Sequence, residues 1–508
     1  MSVSHDSESD VDAGAPVGDR AVAGVLWLTA QKWAIRIAGV VTLAILTRFL
    51  SPEEFGLVAA AATLLPFFYL LSDLGFATYI VQAERADPRT LSTAFWFSLT
   101  AGVALAGLLF VAAPLFAVMF GSPSVAPVIR ALSIVVVLTA LSSVPMALLR
   151  RRMQFRALAG QGVAASLVGQ AVAVGAALGG LGVWALVLQT ISAQLVMTAL
   201  ACVAARWWPA FLFSLREFRT MAAFGGKVLG VEVVAMVRAT GEAAIVSNVL
   251  GLTAYGYLSI AQKLVQIVQD LAGAALLPVT TVAFAKIRDS SERLTAAYVK
   301  ALRATYALMS PPLVVLAVGA SAIVPLVFGQ GWEASVPVVQ FLALAGTVVV
   351  GATLDHGLFY GLGKPGRWFL YAILVDALTI GVTAVAVSAG LVAVAVGFLM
   401  VAVVATAARW FIVARVLGAS PLTLIGSFAF LATSVLLSGG AGWAAMSLSA
   451  SLPPIAQVAL AACAVLAVHA GVAWLMARAV FADLRTYLHR FGLRRRVSAI
   501  AEQRSHHG

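Results

Sequence analysis

The chain has 508 residues, of which 62% are hydrophobic and only 11% charged, with a formal net charge of +12 and a mean hydropathy of +0.99. A soluble globular chain is roughly half apolar and a quarter charged, so these values exclude a water-soluble fold and indicate a polytopic membrane protein. The basic excess does not indicate nucleic acid, because most of the Lys and Arg residues fall in connections that one topology places on the cytoplasmic face, and no basic stripe is interleaved with exposed aromatics.

Residues 1–21 are small, polar and acidic, without the basic segment and apolar core of a signal peptide, and are expected to be a disordered tail. Apolar runs of about twenty residues, the length that crosses a bilayer, then recur. Fourteen all-α spans are expected near 22–47, 55–82, 93–118, 127–149, 159–179, 184–205, 224–249, 255–285, 298–328, 336–360, 369–388, 391–412, 421–443 and 454–478. The even-numbered connections carry most of the positive charge, including Arg85 and Arg89, Arg150 to Arg152, Arg216 and Arg219, Lys286, Arg288 and Arg293, Lys364 and Arg367, and Arg409 with Arg415. The outward connections hold Arg48 alone. Positive-inside insertion then places both termini in the cytoplasm. Outward connections such as GSPSVAP (121–127) and GQGWEAS (329–335) are short, which argues against a membrane enzyme with a catalytic outer loop.

The first connection, LTRFLSPEEFG (46–56), has the pattern of a helix start: Ser51 as N-cap, Pro52 in the first turn and Glu54 closing an S-x-x-E capping box. The connection RWWPAFLFSLREFRTM (206–221) mixes tryptophans, apolar residues and arginines, as an interfacial helix does. A second basic surface helix is expected over 477–498. The organisation is thus an N-lobe of six spans (22–205), a linker helix (206–223), a C-lobe of six spans (224–415), two further spans (416–480) and a basic tail (481–508).

An internal repeat supports this division. At a constant offset of 200 residues, LTRFLSPEEFGLVAAAATL (46–64) aligns with VSNVLGLTAYGYLSIAQKL (246–264), pairing Leu50 with Leu250, Phe55 with Tyr255, Gly56 with Gly256, Ala61 with Ala261 and Leu64 with Leu264. Six spans separate the copies, so they have the same orientation, as in transporters built from two parallel lobes around a substrate path.

Charged residues inside spans are costly and by default face a cavity or a partner. They concentrate in spans one, two, seven and eight: Lys32 and Arg36; Asp73; Glu232, Arg238 and Glu242; Lys263, Gln266, Gln269 and Asp270. A cavity lined by Lys32, Arg36, Arg238 and Lys263, with Arg48 at its mouth and Asp73, Gln266 and Asp270 beside them, suits an anionic substrate, since guanidinium matches diphosphate oxygens bidentately. The simpler reading is mutual neutralisation, Arg238 with Glu242 and Lys263 with Asp270, and both stay open. Asp355 and His356 form the acid–His pair of span ten, a candidate for ion or proton coupling with Glu232 and Glu242, or a structural pair. Cys202 and Cys463 lie in apolar runs, so no disulfide or metal site is indicated, and no nucleotide-binding lysine loop, HExxH or GxSxG is present. No cofactor, metal, ATP or nucleic acid is expected.

LTRFLSPEEFGLVAAA with LLSDLGFATYIVQ (70–82), WWPAFLFSLREFRTMAAFG (207–225), VLGLTAYGYLSIAQKL (249–264) and LPVTTVAFAKIRDSSERL (277–294) resembles the Wzx-like polysaccharide transporters of the multidrug/oligosaccharidyl-lipid/polysaccharide flippase superfamily. The resemblance implies an inner-membrane flippase for polyprenyl-diphosphate-linked glycans, working by alternating access in exopolysaccharide, capsule or O-antigen assembly, with a polysaccharide polymerase and co-polymerase as partners. A small-cation or drug exporter of the same superfamily, a membrane polymerase and a non-transporting scaffold are the competing functions.

Overall fold

The computed structural model describes residues 33, 35–83, 86–273, 284, 287 and 290–476, without the side chains of 224–232, 271–273, 356, 365 and 425. The acidic tail, Lys32, the end of span eight over 274–283, the basic helix expected over 477–498 and the basic tail lie outside the described residues, as do the side chains of Glu232 and His356.

All regular structure among the described residues is helical, as a chain crossing hydrocarbon requires when it does not close a barrel. In chain order the helices are α1 (Ile35–Leu46), α2 (Pro52–Ala62), α3 (Leu65–Asp73), α4 (Phe76–Gln82), α5 (Pro88–Met119), α6 (Val125–Arg151), α7 (Phe155–Leu178), α8 (Trp184–Ala205) and α9 (Leu215–Gly273). They continue with α10 (Ser291–Phe328), α11 (Ser335–Val349), α12 (Ala352–Gly361), α13 (Pro365–Ala386), α14 (Leu391–Leu417), α15 (Leu422–Leu448) and α16 (Pro454–Met476). Twelve helical stretches among the described residues are long and apolar enough to cross a membrane. One of these, Val233–Asp270, is interrupted at Gly251, whose φ of 87° and ψ of 165° end one helix and begin another.

The expected cap at Ser51 forms. The Ser51 amide donates to Glu54 Oε2 at 2.8 Å and the Glu54 amide donates to Ser51 Oγ at 3.3 Å, with Pro52 in the first turn. Two otherwise orphaned amides are satisfied, so Glu53 and Glu54 act as a helix start at the positive end of its dipole. The linker departs from expectation in its first half. Helix begins only at Leu215, and the preceding strip lies across the start of α5. Pro209 cannot donate within a helix, and α5 side chains satisfy the strip instead: Trp96 Nε1 donates to the Ala210 carbonyl (2.8 Å), the Ala210 amide to Ser92 Oγ (3.1 Å) and the Ser214 amide to Thr93 Oγ1 (3.0 Å). Trp96 stacks on Phe211, which is 91% exposed, so the strip presents aromatic surface outward.

The chain forms two compact units, through Gly256 and from Tyr257. In the first, α5 packs on α6, α7 on α8, and α2 and α3 on α6. A core of Phe76, Ile80, Phe95, Val144 and Met221 lies beneath the linker. In the second, α10 packs against α11, α15 and α16, and α14 joins α11 to α13. Apolar side chains such as Val111, Leu115 and Val118 on α5 are largely exposed, as lipid-facing residues are.

Within the first unit the two repeat copies meet. A Cβ at Gly56 would lie 1.9 Å from the Leu252 carbonyl oxygen, and one at Gly256 would lie 1.9 Å from the Pro52 carbonyl oxygen. Pro52 and Leu252 are equivalent positions of the repeat, as are Gly56 and Gly256, so each copy's glycine seats the backbone of the other. Small residues are what allow two membrane helices to approach this closely. Gly56→Ala and Gly256→Ala should each cost about 1–3 kcal/mol, as overpacking of a tight contact does, and lower the thermal unfolding midpoint of the detergent-purified protein. Gly107→Ala, with nothing within 4 Å of its Cβ position, should leave that midpoint unchanged.

Candidate functional site

The polar residues of the apolar helices fall into groups with different chemistry. Arg36 is partly buried on α1, and Arg48 is exposed in the turn that follows it. The same helix carries Thr42, whose Oγ1 donates to Gln170 Oε1 of α7 at 3.1 Å, polar glue of the kind that holds helices together in lipid. In α9, before the break, Arg238 Nη1 lies 3.1 Å from Glu242 Oε2, one turn away on the same helix. The Glu242 side chain is 5% exposed and that of Arg238 is 33% exposed, so the acid is enclosed and the arginine side chain only partly so. Buried Tyr255, the repeat partner of Phe55, lies within electrostatic reach of both. Thr240 Oγ1 donates to the Thr63 carbonyl at 3.2 Å and ties this helix to the end of α2.

Asp73 stands differently. Its Oδ1 accepts from Ser143 of α6 and its Oδ2 from the Ala77 amide at 3.3 Å, where α3 gives way to α4 through left-handed Leu74 and Gly75. That carboxylate satisfies a backbone break and a neighbouring helix. Lys263 and Gln266, three residues apart after the α9 break, are both exposed, and Asp270 one turn on is partly buried. These three belong to the second unit, whereas Arg36, Arg48, Asp73, Arg238 and Glu242 belong to the first.

The most enclosed charges were not evident from the sequence pattern. The charge distribution places Arg409 in a cytoplasmic connection, but it lies inside α14 and is 1% exposed. Its Nη1 is 3.0 Å from Asp355 Oδ2, and Asp355 is fully buried. The contact is an ion pair without a directed hydrogen bond through that nitrogen. Tyr298 donates its hydroxyl to Asp355 Oδ1, and Arg409 Nη2 lies 3.5 Å from the Tyr306 hydroxyl. The partner of Asp355 shown by the structure is therefore an arginine 54 positions along the chain, which periodicity within one span cannot reveal. Three further cations lie within expected spans but are not among the sequence candidates: Arg130, over the Phe110 ring at 5.5 Å, and Lys300 and Arg303 near the start of α10.

Chemically, a guanidinium with an accessible face on an apolar helix can bind phosphate oxygens through paired N–H donors. An arginine sealed between a carboxylate and two tyrosines cannot reach a ligand without breaking the pair. Removing one partner of an enclosed pair strands the other charge and typically costs about 3–5 kcal/mol. Arg409→Met or Asp355→Leu alone should therefore sharply reduce folded yield and thermal stability, and the double variant should recover most of the loss.

Taken together, the described helices, twelve stretches of which are long and apolar enough to cross a membrane, define an all-helical multi-pass membrane protein. The fold is similar to that of the lipid II flippase MurJ in an inward closed conformation, with a TM-score of 0.73 at 13% identity over 90% of this chain and 100% of that one. An inward-facing multidrug resistance MATE family transporter of the MOP superfamily matches with a TM-score of 0.54 at 15% identity, over 77% of this chain and 94% of that one. The profile of the polysaccharide biosynthesis protein family matches residues 45–337, more than half of the sequence, and the chain belongs to that family. Relatives include the succinoglycan biosynthesis transport protein ExoT of Rhizobium meliloti (strain 1021), 29% identical over 68% of this chain and 70% of its own length. The lipopolysaccharide biosynthesis protein WzxC of Escherichia coli (strain K12) is 24% identical over 65% of this chain and 67% of its own.

Proposed function

We propose that the protein is an inner-membrane flippase that carries polyprenyl-diphosphate-linked oligosaccharide from the cytoplasmic to the outer leaflet by alternating access, for exopolysaccharide, capsule or O-antigen assembly. One observation carries this reading beyond family membership: cationic side chains are set within apolar helices, with the partly exposed side chain of Arg238 the best described. An anionic diphosphate head recompenses the cost of keeping such charges in a membrane, whereas a cationic drug does not. The names of the relatives, a succinoglycan transport protein and a lipopolysaccharide biosynthesis protein, are consistent with a glycan cargo, and MurJ is a flippase of a lipid-linked precursor.

In this reading Arg36, Arg238 and Lys32 of the first unit and Lys263 of the second are candidates for contact with the anionic head, with Gln266 and Asp270 as further substrate-binding candidates. Arg48 steers the anion, and Asp73 holds the helix break. Fourteen crossings arise if α1 crosses and the two helices joined at Gly251 each cross, with two parallel six-span repeats and a final pair of spans. The one-sided charge distribution supports cytoplasmic termini. A polymerase and co-polymerase take up the product.

The test is glycan export in cells with chromosomal replacements. Arg36→Ala, and Arg238→Gln paired with Glu242→Gln so that no acid is left stranded, should insert at wild-type levels. Both should lower export about tenfold or more, with lipid-linked precursor accumulating in the inner leaflet. Export at the wild-type rate in both variants rules out the cationic site.

A further inference from the structure

The inner end of the second unit contains a cavity that the transport reading does not use. It has a volume of about 720 Å³ and lies between the first turns of α10 and the turn joining α14 to α15. Lys300 and Arg303 line it, with Thr295 and Thr423, and Ala296, Val299 and Ala419 complete the wall. The Arg303 Nε is buried with no hydrogen-bond partner among the described residues. Its guanidinium rests on α15 where Gly426 has no side chain: a Cβ there would come within 2.9 Å of Nη2. A buried donor without a protein acceptor is open to a water or a ligand acceptor, and here it lies beside a cavity large enough to hold one.

The depth of the cavity identifies the medium it faces. At 1.5 Å per helical residue, Arg303 lies about 37 Å along α10 from its outer end at Phe328, and Lys300 about 42 Å. Hydrocarbon is about 30 Å thick, and the bilayer with its head groups about 40–45 Å. With Phe328 at the outer hydrocarbon edge and a tilt of about 20°, Arg303 lies about 35 Å in, within the inner head-group layer, and Lys300 about 39 Å in, on its aqueous side. Lys286 and Arg288 in the connection preceding α10, with Arg293 in its first turn, mark this end as cytoplasmic by their charge. Glu292 stands at the rim in the first turn of α10, where the helix dipole favours an acid.

We infer that this cavity binds the phosphate head of an inner-leaflet lipid, with Lys300 and Arg303 as the anion's ligands and the alanine and valine wall against its glycerol or chain. The mixed lining selects an amphiphile over a free anion. The chain's own C-terminal segment is a poor occupant, since residues 477–508 carry seven arginines against two acids and would bring like charge to the cations. The site is independent of the transport reading, because lipid retention is measured without transport.

The experiment is native mass spectrometry of the full chain purified in detergent and titrated with phosphatidylglycerol or with phosphatidylcholine. Wild type should retain a phosphatidylglycerol that phosphatidylcholine does not replace. The Lys300→Ala, Arg303→Ala double variant should bind it about tenfold more weakly, for the loss of two charge-assisted contacts. Ala296→Trp, which keeps both charges and fills the cavity, should also lose it, and this variant carries the test if the double variant does not fold. Inorganic pyrophosphate should displace the lipid only weakly. Equal phosphatidylglycerol binding in wild type and both variants overturns the site, and full displacement by pyrophosphate at equimolar concentration overturns the lipid assignment in favour of a free phosphate.

Discussion

The structure depends on one constraint: inside hydrocarbon, every backbone N–H and C=O must find a partner in the protein. An unpaired group there costs several kcal/mol, so helices dominate and each interruption needs its own explanation. Several departures from helix among the described residues have their backbone groups satisfied by side chains. At Leu74 and Gly75 the Asp73 carboxylate accepts the Ala77 amide and a serine from a neighbouring helix. At Ser51 a reciprocal side-chain cap starts the helix. At the linker, α5 supplies tryptophan, serine and threonine to backbone that cannot be helical after Pro209. Several polar residues that attract notice in an apolar sequence are therefore there to complete the backbone.

The remaining charges differ in how far they are closed off. Arg409 and Asp355 are sealed and tied to two tyrosines, which makes them a fixed strut between α14, α12 and α10. Arg238 shares its charge with Glu242 but keeps a third of its side chain accessible. The two arginine–acid pairs thus differ in burial, the first sealed and the second partly open.

The repeat has a physical meaning beyond ancestry. Gly56 and Gly256 occupy equivalent positions, and each lies against the backbone of the other copy. The aromatic–glycine pair common to both copies is thus a contact element, and the glutamates present only in the first copy are a local cap.

What the sequence by itself determined is what hydropathy, charge asymmetry and local helix chemistry can carry: an all-helical membrane chain, the approximate position of most spans, the Ser51 cap and the repeat. These are visible because span length, side-chain charge and the S-x-x-E spacing act within a few turns of chain. The tertiary structure alone decided which polar residues are struts and which are accessible. It paired Asp355 with Arg409, gave Asp73 to a helix break, seated the two glycines together and opened the basic cavity at Lys300 and Arg303. The partners in each case lie tens to hundreds of residues apart, and the cost of burying a charge depends on what stands opposite it, which only the packed helices specify.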